Sequence, residues 1–230
     1  MKVDYIVVGL GLAGLAFIEE LIEAKKTFIV FEDDSQTSSL VAGGVYNPVI
    51  LKRFTPVWNA DKQLEIALPF YERIEKKLHE KVDVKFNTRK VFKSIEDQNN
   101  WFEASDKPLL SKFMNADIIN EKIEGVIADF GFGEVQKTGR IDTEKLVTSY
   151  RNYLANESKI IFEKFKYNAV QLLNNTCVYK NIESSRIVFC EGFGIKQNPF
   201  FNNLPLKEAK GELLTIHAPE LEIDFLLKST

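Results

Sequence analysis

Residues 3–32 read VDYIVVGLGLAGLAFIEELIEAKKTFIVFE, and this stretch decides the fold. Val3–Val8 is a short apolar run typical of a buried strand, and the glycine turn Gly9–Gly14 follows it. Leu15–Lys26 places apolar residues on one face and charges on the other, which predicts a helix. Thr27–Phe31 is a second apolar run of the kind found in parallel sheets. The order strand, helix, strand predicts a parallel βαβ unit.

The turn matches the pattern G-x-G-x-x-G, in which Gly9, Gly11 and Gly14 are the glycines and Leu12 and Ala13 precede the last one. The first glycine allows a tight turn, the second lets the backbone approach a pyrophosphate, and the third lets the helix pack closely on the strand. The helix N-terminus would offer N–H groups and a partial positive charge to the phosphates. The pattern therefore predicts a dinucleotide site that these five residues contact.

An acidic residue stands where this pattern requires one. Glu32 follows the second apolar run, where a carboxylate can accept both ribose hydroxyls of an adenosine. Asp33 belongs to the same expected site, and the run Glu32-Asp33-Asp34 would repel a 2′-phosphate, which disfavours NADP. The fingerprint leaves FAD and NAD open. No tyrosine is followed four residues later by lysine, so the Tyr-x-x-x-Lys pair of short-chain dehydrogenases is missing.

The composition favours a soluble globular protein. The 230 residues are 45% hydrophobic and 27% charged, which excludes disordered, collagen-like and coiled-coil classes. A net charge of −3 gives no basic footprint for nucleic acid. The apolar run Tyr5–Ile18 is too short to span a bilayer. Two cysteines, Cys177 and Cys190, are too few for a disulfide framework, so we expect a cytoplasmic protein. Homo-oligomerisation stays open.

Beyond residue 32, the predicted helices alternate with predicted β-rich segments. Apolar spacing predicts a helix over Asn59–Leu78, kinked or split at Pro69. From Val82 to Arg140, short alternating runs such as Trp101–Ala104 predict a β-rich insertion with one short helix. A helix over Asp142–Leu154 follows, with Asp142 as its N-cap, and further short strands come after it. No Cys/His cluster has metal-ligand spacing, so no metal site is expected.

The loop Ser38–Pro48, SSLVAGGVYNP, carries a family signal. It resembles the loop that follows the ribose-binding carboxylate in D-amino-acid-oxidase-like FAD-dependent oxidoreductases of the glycine and sarcosine oxidase type. In that family the loop lies under the pyrophosphate and beside the flavin ring. The resemblance implies that Ala42, Gly43, Gly44 and Val45 contact FAD, because small residues let main-chain N–H groups face phosphate or flavin carbonyls.

Two later segments carry the same resemblance. Gly139–Asp142 is similar to the point where these proteins return from the substrate domain to the flavin domain. Arg186–Gly192, RIVFCEG, resembles the strand and glycine turn that close the flavin site from its other side. The resemblance implies FAD contacts at Glu191 and Gly192 and backbone contacts to adenine near Phe165. The family usually has a small or neutral residue where Glu191 stands.

The expected fold is α/β: a Rossmann-like FAD-binding domain formed by residues 1–80 and 141–203, with an inserted β-rich (α+β) substrate or cap domain formed by residues 81–140 and 204–230. Family members continue beyond the position of Thr230 with a segment that covers the flavin. We therefore expect an incomplete cap domain, FAD binding by this chain alone that is weak or absent, and little oxidase turnover.

The expected function is an FAD-dependent oxidoreductase that oxidises a C–N bond of a small-molecule amine or amino acid by hydride transfer to flavin. The resemblance identifies no catalytic residue in this chain. Two alternatives remain: an NAD-linked dehydrogenase, and a non-catalytic nucleotide-binding fragment of a longer flavoenzyme. Flavin absorbance of the purified protein would separate the first alternative from the FAD enzyme.

Overall fold

A computed structural model describes residues 1–207 and 209–229 and divides them into two compact units. The first unit is Met1–Ala42 with Thr143–Leu213, and the second is Gly43–Asp142 with Leu214–Thr230. The strands are Lys2–Val8 (β1), Phe28–Glu32 (β2), Val45–Tyr46 (β3), Val49–Ile50 (β4), Thr55–Pro56 (β5), Asp83–Val91 (β6), Phe132–Ile141 (β7), Ile160–Phe162 (β8), Val170–Leu172 (β9), Cys177–Tyr179 (β10), Ile182–Phe189 (β11) and Leu226–Lys228 (β12). The helices are Leu12–Glu23 (α1), Ala60–Leu78 (α2), Ile95–Ser105 (α3) and Thr143–Asn156 (α4).

The first unit is built on a six-stranded sheet in the order β8-β2-β1-β11-β10-β9. Strand β1 is parallel to both of its neighbours, β2 and β11, and β8 is parallel to β2. Val8 lies opposite Phe31 on one side and Phe189 on the other, so the carboxyl ends of three parallel strands meet at one edge. This edge is where ligands bind in open α/β sheets.

Apolar side chains fill the core on one face of this sheet. Phe165 stacks on Tyr179 with ring centroids 4.1 Å apart, and Phe31 meets Tyr179 edge to face at 5.0 Å. The buried members of this cluster are Val3, Ile6, Val8, Ile29, Phe31, Phe165, Tyr179 and Ile182. Burying these side chains stabilises the unit, because each Å² of apolar surface removed from water contributes about 25 cal/mol.

The second unit contains a four-stranded sheet in the order β12-β6-β7-β3 and a two-stranded hairpin formed by β4 and β5. Strands β6 and β7 are antiparallel, whereas β12 runs parallel to β6. The core of this unit surrounds Trp101, which is fully buried and meets Phe54 and Phe92 edge to face. Across residues 1–207 and 209–229, no helix is both long and apolar enough to cross a membrane.

The structure confirms the α/β fold and corrects some local predictions. The strand predicted at Trp101–Ala104 was wrong, because both residues lie in α3 and their side chains share its buried face. Ser94 caps this helix by accepting a hydrogen bond from the Asp97 N–H at 3.2 Å. Pro69 does not split α2, which runs without interruption to Leu78.

The boundary between the units also differs from the one expected. Residues 43–80 fall in the second unit rather than with residues 1–42. The reason is strand pairing: Val45 lies opposite Arg140 and Tyr46 opposite Gly139 in the antiparallel pair of β3 and β7. Tyr46 also donates a hydrogen bond from its hydroxyl to Asp83 at 2.8 Å. Such non-local pairing leaves no pattern in the local sequence.

Candidate functional site

A cavity of about 330 Å³ lies in the first unit, at the carboxyl ends of β1, β2 and β11. Its lining comes from the glycine turn, the end of β2, the loop after β2 (Ser35, Gln36, Ser38 and Ser39), the segment after β8 and the segment after β11. The predicted site residues that line it are Gly9, Gly11, Leu12, Ala13, Glu32, Asp33, Phe165, Glu191 and Gly192. The fold therefore brings predicted site residues from four separate segments of the chain to one cavity.

Two glycines of the turn are required by the packing of the chain itself. Gly9 has a φ of 93°, and a Cβ there would lie 2.6 Å from the carbonyl oxygen of Cys190. A Cβ at Gly14 would overlap the carbonyl oxygen of Gly9, which is backbone and cannot rotate away. Gly14 is not among the residues that line the cavity. Its role in the structure is the close packing of α1 on the turn.

Gly11 differs, because the space beside it belongs to the cavity. Its backbone is extended, with φ −89° and ψ −166°, so any residue could adopt it. A Cβ there would meet only the Ser39 side chain within 4 Å, with the Oγ 2.8 Å away. Ser39 Oγ in turn accepts the N–H of Leu12, in the first turn of α1, at 3.2 Å. Gly11, Leu12 and Ser39 all line the cavity, and the absent side chain leaves room there for the Ser39 hydroxyl and for a ligand.

Glu32 is fixed at the end of β2 with only 5% of its surface exposed. One carboxylate oxygen accepts the backbone N–H of Leu10 at 2.5 Å, and the other accepts the N–H of Asp34 at 3.0 Å. The second oxygen also lies 3.3 Å from a guanidinium nitrogen of Arg151. A carboxylate offers about four lone-pair positions, so it can still accept hydrogen bonds from a ribose.

Arg151 does not line the cavity but pairs with Glu32 behind it, and the sequence prediction missed this residue. It lies on α4, is 13% exposed, and pairs with both Glu32 and Asp34. Because α4 begins far along the chain from β2, no local pattern connects Arg151 to the acidic run. Only the packing of α4 within the first unit places a cation beside the predicted ribose acceptor.

Glu191 forms the opposite wall and is already held by two neighbours. Its carboxylate accepts the Tyr167 hydroxyl at 2.5 Å and the side-chain amide of Asn198 at 2.7 Å. Burial, followed by the hydrogen bond to Glu191, raises the pKa of Tyr167 above its usual value. Burial, with the Glu191 charge, also raises the pKa of the Cys190 thiol. Cys190 is therefore poorly suited to act as a thiolate nucleophile.

Besides Gly14, four predicted residues do not line this cavity: Ala42, Gly43, Gly44 and Val45. The carbonyl of Ala42 accepts the Thr143 hydroxyl at 3.2 Å within the first unit. Gly44, in the second unit, has a φ of 66°, and a Cβ there would overlap the carbonyl oxygen of Ile141. The close approach of β3 to β7 therefore explains this glycine. Cofactor contacts from these four residues stay a prediction.

No family model matches the sequence. Several solved structures do resemble the chain. L-amino acid deaminase from Proteus vulgaris matches with a TM-score of 0.62 and 16% identity, over 86% of this chain and 50% of that one. Glycine oxidase from Geobacillus kaustophilus matches with a TM-score of 0.55 and 12% identity, over 82% and 55%. L-α-glycerophosphate oxidase from Mycoplasma pneumoniae, with FAD bound, matches with a TM-score of 0.54 and 15% identity, over 81% and 53%.

The chain thus spans about half the length of the solved structures it matches. At these identities the likeness establishes the fold. The chain has the α/β fold of these amino acid oxidases and deaminases, which confirms the fold implied by the resemblance of its sequence.

Proposed function

We propose that the cavity of the first unit binds FAD and that the protein is an FAD-dependent oxidoreductase. The observation that carries this proposal is the convergence of the Gly9–Gly14 turn, Glu32, Phe165 and Glu191 on one cavity at the carboxyl edge of parallel strands. Its volume of about 330 Å³ is in the range of pockets that hold part of a small ligand. The FAD-bound neighbour of the same fold supports the choice of cofactor.

The residues present fit the adenosine and pyrophosphate parts of FAD. The N-terminus of α1, where Gly11, Leu12 and Ala13 line the cavity, would hold the pyrophosphate through backbone N–H groups and the positive end of the helix dipole. Glu32 would accept the ribose hydroxyls while Leu10 and Arg151 fix its carboxylate. Phe165 and Tyr167 give the lining two aromatic side chains against which adenine would pack, beside the charged Glu163 and Lys164.

The proposed reaction is oxidation of a C–N bond in a small-molecule amine or amino acid. When bound, flavin supplies the chemistry by accepting a hydride from the carbon that bears nitrogen. The residues of this cavity bind and orient the cofactor, and burial of Glu32 and Asn198 keeps water from their polar contacts. Neighbours named as an amino acid deaminase and a glycine oxidase support this substrate class.

The first test is the cofactor itself. We expect FAD added to the purified chain to bind saturably but weakly in a calorimetric titration, and NAD to bind more weakly still. Gly11→Val should abolish FAD binding, because a branched side chain would fill the space in front of α1. Gly211→Val is the matched control, since nothing lies within 4 Å of a Cβ at Gly211.

Binding of NAD in preference to FAD would favour a dehydrogenase and contradict the proposal. Unchanged FAD binding by folded Gly11→Val would place the cofactor elsewhere. The reaction is tested separately: FAD-loaded protein should become reduced, with loss of flavin absorbance, when mixed with an amino acid or amine substrate under anaerobic conditions. FAD binding without reduction by any member of an amine and amino acid panel would support the non-catalytic alternative.

A further inference from the structure

A second cavity, of about 640 Å³, lies within the second unit and is strongly basic. The cationic residues in its lining are Lys52, Arg53, Lys90, Lys93, Lys107 and Lys228. Two carboxylates, Asp97 and Glu103, share the lining with these six residues. Because the whole chain has a net charge of −3, this cavity concentrates charge of the opposite sign.

Both carboxylates already have partners of their own. Glu103 pairs with Lys107 at 3.1 Å, one turn further along the chain. Asp97 accepts the backbone N–H of Lys93 at 3.0 Å, in the arrangement that begins α3. Lys107 and the backbone N–H of Lys93 therefore partly neutralise their negative charges. The remaining cations of the lining outnumber them.

Lys90 is the central residue of this cavity. It is only 5% exposed, and its ammonium group donates to the carbonyl of Val91 at 2.8 Å. Within the described part of the chain, no carboxylate forms an ion pair with it. Burial lowers the pKa of Lys90, and the charges of Lys93 and Lys228 add to this effect while Asp97 opposes it. A buried cation without a paired anion is costly, and an anionic ligand would offset that cost.

Lys228 increases the positive charge beside Lys90. The two lysines lie directly opposite each other in the parallel pair of β12 and β6, and both line the cavity. Like charges at opposed positions of neighbouring strands destabilise a sheet. A ligand group with two negative charges between the two ammonium groups would convert this repulsion into attraction.

The hairpin of β4 and β5 supplies the other side of the cavity. Its turn carries Lys52 and Arg53 and ends at Phe54, whose φ of 49° is left-handed. Such a conformation is unfavourable for a bulky side chain and persists only where the surroundings fix it. Here the Phe54 ring packs edge to face on buried Trp101, with centroids 5.5 Å apart. The turn is thereby held in the shape that presents its two cations.

We propose that this cavity binds a small organic phosphate. The phosphate dianion would lie between Lys90 and Lys228, and Arg53 could contact its oxygens in a bidentate manner. The apolar part of the ligand would pack on Leu51 and Ala104, which are buried residues of the same lining. This inference does not depend on the FAD proposal, because every residue in it belongs to the second unit.

The test is calorimetry of the full chain at constant ionic strength, with phenyl phosphate, inorganic phosphate and succinate as the probes. We expect phenyl phosphate to bind more tightly than inorganic phosphate because of the apolar wall, and succinate to bind weakly. Lys228→Gln and Lys90→Met should each weaken phenyl phosphate binding about tenfold, the scale of one charge-assisted hydrogen bond. Lys228 is exposed, so its variant should fold even if Lys90→Met does not.

Two control variants separate this cavity from other sites. Lys122→Gln removes an exposed lysine of the same unit that does not line the cavity, and it should leave affinity unchanged. Gly11→Val blocks the first cavity, and it should also leave the affinity for phenyl phosphate unchanged. The proposal is overturned if phenyl phosphate does not bind, if Lys122→Gln weakens binding as much as Lys228→Gln, if Gly11→Val alone removes binding, or if succinate binds more tightly.

Discussion

The guanidinium of Arg151 lies 3.3 Å from the carboxylate of Glu32, and the other oxygen of that carboxylate accepts the backbone N–H of Leu10. The carboxylate thus joins helix α4 to the glycine turn through β2. Because Glu32 is 5% exposed and held from two sides, its oxygens have a fixed position at the edge of the cavity. A ribose would meet an acceptor that needs no reorganisation, which is the basis of preorganised binding.

This relationship predicts unequal roles for adjacent acidic residues. Glu32→Ala should weaken FAD binding by about 1.5–3 kcal/mol, the range for hydrogen bonds to a charged group. Asp33→Ala should have a much smaller effect. The Asp33 side chain is exposed, and its carboxylate accepts a hydrogen bond from the nearby Ser35 N–H. FAD titration of both variants checks the difference, and equal losses would contradict the assignment of Glu32 to the ribose.

The glycines of the turn should separate ligand binding from folding. Gly14→Ala is expected to lower the free energy of unfolding by more than about 1 kcal/mol, because its Cβ overlaps the backbone oxygen of Gly9. Gly11→Ala should lower stability less, since its Cβ would displace only the flexible Ser39 side chain and its hydrogen bond to the Leu12 N–H. Urea denaturation of both variants measures this. Equal stability of the two proteins would show that the turn relaxes more easily than its packing indicates.

Glu75 should make stability depend on pH in acid. Its carboxylate accepts the backbone N–H groups of Val82 and Asp83 and the Lys81 ammonium. Burial acts to raise the pKa of Glu75, but these hydrogen bonds outweigh it and lower the pKa below its ordinary 4.5. A lowered folded-state pKa means that the stabilisation is present above the ordinary value and is lost as pH falls through the folded value.

Glu75→Gln should therefore destabilise the protein by about 1–3 kcal/mol near neutral pH and by less in acid. Glu72→Gln is the matched control on the same helix, because the Glu72 side chain is 51% exposed and its ion pair with Lys85 is long at 3.5 Å. Denaturation curves at neutral and acidic pH provide the comparison. A destabilisation of Glu75→Gln that does not shrink in acid would contradict the role given to its charge.

The contact between Tyr150 and Glu19 should stabilise the first unit. The fully buried Tyr150 hydroxyl donates to the Glu19 carboxylate at 2.5 Å and ties α4 to α1. Tyr150→Phe removes the donor of this buried hydrogen bond to a carboxylate, so we expect a loss of about 1–3 kcal/mol in the free energy of unfolding. Thermal denaturation checks this, and a variant as stable as the parent would show that another group replaces the hydroxyl.

The sequence alone predicted the βαβ unit of residues 3–32 and that Gly11 and Glu32 belong to one site, and both line the same cavity. Their cofactor contacts stay a prediction. The prediction of the unit was achievable because a short strand, a glycine turn and an amphipathic helix are encoded by neighbouring residues. The resemblance to a known family then implied that Phe165 and Glu191 belong to the same site, and the structure places both in its lining. Their contact with FAD stays a prediction.

Tertiary structure decided what distant residues do to one another. It brought Arg151 to Glu32, assigned residues 43–80 to the second unit through the pairing of β3 and β7, and buried Lys90 opposite Lys228. Each of these depends on segments that are far apart in the chain and meet only when sheets and helices pack. Periodicity reports which face of an element is apolar, but it does not report which element will cover that face.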